Sequence, residues 1–472
     1  MSAIATAASA PPAASPTPRR QHLRRELGQL ATLSVSIGVM APTLAMSITG
    51  VAAAALLGRA ASLAYVVAAL GVGLVAYGFA RLSAEFAGAG SVYAFVGGAL
   101  GARAGFVAGW ALLGTYLIFP VVSISAIAVF GRAFLRSAGI AAHAPWLPLA
   151  LVGWALVWLI ASRAVLTAAR TLLVFELVSV GLILVLMAVI VGKLIFGGAP
   201  TGRGLSVDVF RPPPGTSLST IALASTFGFL SFAGFESAGS FGEEATRPRR
   251  MVPRSMAAAI LFGAVFYVAC VAVQTLGFGT DAAGVKAFAA SPAPLGTLAQ
   301  SYVGAGMADV LDLAAIVSAV GAGLGCASVA ARMLFALGRD RRLDARLAGV
   351  SSTGAPAGGL AFVMLLDLVI LLVFGAAGAK PMNVFFYLAT IGVLSLLAMY
   401  VMTNVAATRF LAARGARWEL LAPLAGIGVA GYVLYHNIWP VPAAPYDVFP
   451  YIVGAWLIVG ITLGVLRSSS TT

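Results

Sequence analysis

The sequence predicts an all-α integral membrane protein of twelve transmembrane helices, and three observations predict it. Hydrophobic residues fill 61% of the 472 positions, only 9% are charged, and the mean hydropathy is +1.00. A soluble globular chain carries about 25% charged residues, so most side chains here have lipid, not water, as their solvent. The apolar residues come in runs of the ~20 that an α-helix needs to cross a hydrocarbon core ~30 Å thick. The cationic residues gather in alternate connections between those runs, as they do in cytoplasmic loops of membrane proteins.

The runs are 28–57, 62–85, 103–131, 147–163, 169–196, 217–241, 254–279, 307–337, 357–376, 382–410, 420–436 and 447–466. The fourth and eleventh are short. The first, third, eighth and tenth are long enough to tilt or to contain a break. With both termini in the cytoplasm, twenty-one Lys and Arg fall inside and eight outside, together the 29 of the chain. Arg250 and Arg342 belong to the inner set and Arg203 to the outer one. An odd number of missed spans would scramble this asymmetry, so the even count and the orientation support each other. Residues 1–26, Ala/Pro/Ser-rich and then basic at Arg19, Arg20, Arg24 and Arg25, read as a disordered cytoplasmic tail. They lack the apolar run of a cleavable signal peptide.

Several function classes are excluded. A net charge of +14 suggests nucleic acid, but the basic residues sit in loops and no basic patch interleaved with aromatics stands outside them. Cys270 and Cys326 both lie in apolar runs and read as packed thiols. His22, His143 and His436 are far apart in a tail and loops. No metal-ligand spacing, phosphate-binding glycine loop or nucleophile elbow appears, so neither a metal, a cofactor nor enzyme chemistry is expected.

Two runs read as interrupted helices. The first contains Ile37-Gly38-Val39-Met40-Ala41-Pro42-Thr43, where Pro42 lacks an N–H and Gly38 is permissive. The sixth is interrupted at Ser231-Phe232-Ala233-Gly234-Phe235. A separation of five spans is the one expected of inverted repeats with opposite topology. It divides the chain into a ten-helix core at 27–412, with repeats at 27–200 and 216–412, and two further helices at 413–472. An interruption frees backbone groups, which survive in a membrane only against protein or a polar cavity. A half-helix N-terminus suits a carboxylate and freed carbonyls suit an ammonium. On that basis Ile37, Gly38, Met40, Ala41, Pro42 and Thr43 are expected to hold a substrate carboxylate. Leu230, Ser231, Phe232, Ala233 and Gly234 are expected to hold an amino group. Phe229 and Phe232 flank the second break and are candidate gates.

Three blocks carry a resemblance. GFESAGSFGEEATRPRRMVPRSM, from Gly234 to Met256, closes the sixth run with a Gly-Phe-Glu element, an acidic pair at Glu243-Glu244, and Pro248 and Pro253. AEFAGAGSVYAFVGGALGARAGFVAGW, from Ala84 to Trp110, has a glycine-rich turn before Leu-Gly, Gly-Phe and Gly-Trp elements. ARMLFALGRDRRLDARLAGV, from Ala331 to Val350, has an Arg-Asp turn at Arg339-Asp340. Together they resemble the amino acid–polyamine–organocation transporter family over roughly 27–412. The chain departs from that pattern at Arg247, at Asp344, and at Ala41-Pro42-Thr43, where the family has Asn, Pro and a Gly-Ser-Gly-like element.

The resemblance implies the LeuT fold and a secondary transporter of amino acids or related amines that works by alternating access in a lipid bilayer. It implies proton coupling or exchange, with a gating or proton-responsive role for Glu236. It places Thr115, Tyr116, Cys326 and Ala327 at the pocket by register alone. It also sets Ser179 where proton-coupled relatives carry a Lys, with Glu176 one turn earlier as a second coupling candidate. Pro42 removes one donor and leaves room for amines without a carboxylate, while Thr43 offers a hydroxyl. Glu85 is expected to pair with Arg81 four residues away, Asp312 to be solvated, and Asp367 has no evident partner. Sodium coupling through Ser318 or Ser328, a channel or nutrient sensor, and a membrane transferase are the alternatives. The transferase needs a His or carboxylate cluster and the channel a ring of repeated polar residues, and the sequence contains neither.

Overall fold

The computed structural model describes residues 28–86, 91–141, 143–163, 165–202, 204–242, 244–351 and 355–466, with the backbone alone at 165–172. The expected tail at 1–26, part of the glycine-rich turn at 87–90, and Arg203 and Glu243 lie outside these residues.

Among the described residues every regular element is helical. The first half holds α1 (Gln29–Met40), α2 (Pro42–Leu57), α3 (Ala61–Glu85), α4 (Val92–Leu100), α5 (Ala102–Tyr116), α6 (Phe119–Ser137), α7 (Trp146–Ala161) and α8 (Val165–Phe196). The second holds α9 (Leu218–Phe232), α10 (Pro248–Phe278), α11 (Ala282–Ala290), α12 (Pro294–Tyr302), α13 (Ala305–Arg339), α14 (Ala357–Ala376), α15 (Pro381–Ala413), α16 (Leu421–His436) and α17 (Phe449–Leu466). Ten segments are long and apolar enough to cross a membrane, from the 57-residue stretch Gln29–Glu85 to Phe449–Leu466, and Trp146–Ala161 is apolar but shorter. In hydrocarbon a helix satisfies its own backbone, which is why such apolar runs adopt no other form.

The centre is formed by α1, α2 and α9. The chain is buried at every position from Val39 to Val51. Around it, α3 packs on α9 and α10, while α13 packs on α6. On the periphery, α7, α14, α16 and α17 turn Leu156, Val369, Leu424 and Ile458 outward. Small residues permit the closest approaches. A Cβ on Gly105 would lie 2.6 Å from the Gly97 Cα and from the Tyr93 carbonyl oxygen, so glycine at 105 is a packing requirement of the α4–α5 hairpin.

Both interruptions fall where the sequence places them. Ala41, at φ 44° and ψ 66°, ends α1, and Pro42 opens α2, where its missing N–H costs nothing. Past α9 the chain turns at Gly234, φ 116°, into the 3-10 helix Phe235–Phe241. The two breaks abut: Ser36 Oγ donates to the Phe235 carbonyl at 2.9 Å, and a Cβ on Gly234 would sit 2.8 Å from Met40 N.

Two details are added to the sequence reading, and two expectations need correction. The third run, long enough for a break, contains one: α5 and α6 meet at Leu117–Ile118, because Pro120 has no N–H for the Tyr116 carbonyl. The connection before α13 carries the short helices α11 and α12, started by the Asp281 side chain on Gly284 N and by Pro294. Arg81 pairs with Glu419 at 2.8 Å and Glu85 with Arg414 at 3.0 Å, because the connection between α15 and α16 brings opposite charges closer than the helix's own turn does. Asp312 is buried beside Gly296 of α12, which covers it from solvent.

The Gly234→Ala variant should lose about 1–3 kcal/mol, since it adds left-handed strain to a steric clash. A thermal melt in detergent should show a lowered Tm, whereas Gly454→Ala in α17, with open space around its Cα, should melt no lower than wild type.

Candidate functional site

The first break is held by two side chains from other helices. Thr43 N donates to Glu176 Oε1 of α8 at 2.7 Å. Leu44 N donates to Ser318 Oγ of α13 at 3.1 Å. Ala41 N closes α1 on the Ile37 carbonyl at 2.9 Å, and Ala45 N returns to the Ala41 carbonyl at 2.9 Å. Glu176 is almost fully buried, and a buried carboxylate persists only with such donors around it.

The second break is held from the opposite side. Glu236 is fully buried and accepts from Tyr116 OH at 2.7 Å, Tyr400 OH at 3.2 Å and Gly234 N at 3.2 Å. It thereby ties the 3-10 segment to α5 and α15. The Phe79, Phe235 and Tyr400 rings close around it, with centroids 5.5–5.8 Å apart. A hydroxyl chain runs nearby, with Thr49 Oγ1 2.6 Å from Tyr65 OH and 3.0 Å from Ser231 Oγ.

Between the breaks lies a cavity of about 50 Å³. Met40, Ala41, Leu230, Ala233 and Cys326 line it, with Leu44, Ala45, Thr49, Phe119, Ser123 and Phe385. Ligand pockets run to roughly 300–1,000 Å³, so this one has room for water alone.

The amino acid permease family model matches residues 32–433. The chain belongs to the amino acid permease family. It is accordingly an integral membrane transporter, not an enzyme, and the LeuT fold is the known fold of its family. It is 27% identical to the branched-chain amino acid permease BcaP of Lactococcus lactis subsp. cremoris over 74% of this chain and 76% of that one. It is 24% identical to the low-affinity putrescine importer PlaP of Escherichia coli over 54% of each chain. It is 29% identical to the L-methionine/branched-chain amino acid exporter YjeH of Escherichia coli over 58% of this chain and 59% of that one.

The permease brings five of its sequence-predicted residues to the cavity wall and places the others around it. Ile37 and Gly38 lie in the last turns of α1, and Pro42 and Thr43 lie at the start of α2, where Thr43 N points to Glu176. Ser231 joins the Thr49–Tyr65 chain, and Gly234 packs on Met40. Phe232 meets Tyr267 edge-on with ring centroids 5.1 Å apart, and Phe229 is pressed against Gly71 of α3. Thr115 Oγ1 donates to the Gly392 carbonyl, and Tyr116 holds Glu236. Ala327 is buried behind Cys326, and Ser179 Oγ bonds its own helix at Phe175. Thr49, Ser123, Phe119 and Phe385 were not singled out by the sequence. Thr49 was findable, standing four residues after Ala45 on the same face of α2.

One further element was missed. Arg332 of α13 forms a buried bidentate pair with Glu244, Nε–Oε1 2.6 Å and Nη2–Oε2 3.3 Å, with its guanidinium 4.0 Å from the Phe241 ring centre. It pins the segment after the second break to α13. Breaking a buried pair from one side costs about 3–5 kcal/mol, because a charge is stranded. Arg332→Met and Glu244→Gln should each lower the melting temperature sharply in detergent. The double variant should recover part of the loss, a coupling that a double-mutant cycle measures.

Proposed function

We propose that the chain is a secondary transporter of amino acids or related organic amines that works by alternating access, coupled to protons or running as an exchanger. The observation that carries the reading is the small cavity between two abutting helix interruptions, each braced by a buried glutamate. A space of about 50 Å³ admits no amino acid, so substrate entry requires the walls to part. In this reading the chain has twelve spans: inverted repeats at 27–200 and 216–412, followed by the two helices of 413–472. The termini are cytoplasmic. Relatives named for branched-chain amino acids and for putrescine support substrates bearing an ammonium group.

Glu236 is the coupling candidate. It joins three elements through Tyr116, Tyr400 and Gly234. A change in its protonation alters what each hydroxyl must donate or accept, and so the balance between closed and open states. Glu176 is the second candidate. Sodium coupling is the rival reading, and its candidate ligand Ser318 already accepts from Leu44 N.

Uptake of labelled leucine and putrescine into proteoliposomes, in sodium-free buffer with and without an inward proton gradient, tests the function. Accumulation driven by the proton gradient, or exchange against preloaded substrate, is expected. A strict sodium requirement would replace the coupling. Glu236→Gln, which keeps shape and removes the titration, should retain exchange and flatten the pH profile, and an unchanged profile would move the role to Glu176. Cysteine substituted at Arg250 should resist an impermeant thiol reagent in intact cells, and labelling from outside would reverse the topology.

A further inference from the structure

We infer that the site between the breaks is built for a cationic aliphatic amine without a carboxylate, because Glu176 already fills the place that a substrate carboxylate would take. The inference rests on the transport reading above and narrows its substrate class.

A helix N-terminus captures an anion through backbone N–H groups that the helix leaves free. At the start of α2 none is left. Pro42 has no N–H, Thr43 N is held by Glu176 at 2.7 Å, and Leu44 N is held by Ser318 at 3.1 Å. The next donor, Ala45 N, and the preceding one, Ala41 N, both bond backbone carbonyls at 2.9 Å. At the second break Gly234 N is taken by Glu236.

The acceptors are in the opposite condition. In a continuous helix the carbonyls of Gly38, Val39 and Met40 would receive the N–H groups of residues 42, 43 and 44. Proline supplies none and the other two have turned away, so three carbonyls lose their helical partners at the end of α1. A helix C-terminus carries partial negative charge and favours a cation. Two buried carboxylates, Glu176 and Glu236, add to that sign. The cavity lining contains no Lys or Arg, and Arg332, six residues beyond Cys326, is engaged by Glu244. An ammonium therefore finds acceptors here, and a carboxylate finds no free backbone N–H at the start of α2 and no countercharge, with the Thr43 hydroxyl as the one side-chain donor left there. The rest of the wall, with Leu44, Leu230 and Phe385, is apolar and suits an alkyl body.

The test pairs each amino acid with the amine that lacks its carboxylate: leucine with 3-methylbutylamine, and ornithine with putrescine. Binding is measured by calorimetry on the full chain in lipid nanodiscs. Each amine should bind at least about ten-fold more tightly than its carboxylated partner. An amino acid that binds as tightly as its amine overturns the inference and leaves the transport reading standing, whereas failure of all four to bind defeats both. Glu176→Ala frees Thr43 N and should narrow the preference about ten-fold by improving the amino acids. Ser318→Ala frees Leu44 N and provides the same readout independently should the first variant not fold. A preference unchanged in the folded variants would overturn the assignment to the capped helix end.

Discussion

The contact on which the centre of this molecule depends is the bond from Thr43 N to Glu176. A chain enclosed by lipid and protein has no water with which to satisfy an opened backbone, and each orphaned group costs about 1–3 kcal/mol. Ending α1 at Ala41 and restarting at Pro42 is therefore possible only if the freed N–H groups are met elsewhere. Glu176 and Ser318 meet them from α8 and α13. The interruption, the position of those two helices and the shape of the cavity are consequently one solution, and none of them is adjustable alone.

The second break obeys the same rule with different parts. Glu236 lies within the interrupted segment itself and gathers two tyrosine hydroxyls from α5 and α15. Arg332 and Glu244 then anchor the chain beyond it to α13. Both breaks thus lean on α13, which is buried along most of its length.

Much of this was legible in the sequence, for identifiable reasons. Apolar length marks helices because lipid enforces it, and Pro42 and Gly234 mark breaks because their backbones cannot behave otherwise. What escaped was side-chain partnership across long separations. Thr43 and Glu176 are 133 residues apart, and nothing local to either announces the other. The sequence therefore assigned the α2 terminus to a ligand's carboxylate when one of the chain's own occupies it. Arg81 and Glu85 were misread in the opposite way: helical spacing suggested a pair, but the connection between α15 and α16 supplied better partners. Length alone left open whether the third run tilts or breaks, and Pro120 decides for the break.

The burial of residues 39–51 has a mechanical consequence. Protein surrounds this segment, while α7, α8, α10, α14, α16 and α17 carry outward apolar surface. Bilayers differ in thickness, and helices that touch lipid answer by tilting. Here α8 is among them, and through Glu176 it also holds Thr43 N, so a tilt of α8 reaches the first break directly. The shielded segment at 39–51 is thus coupled to the thickness of its bilayer through a single buried carboxylate.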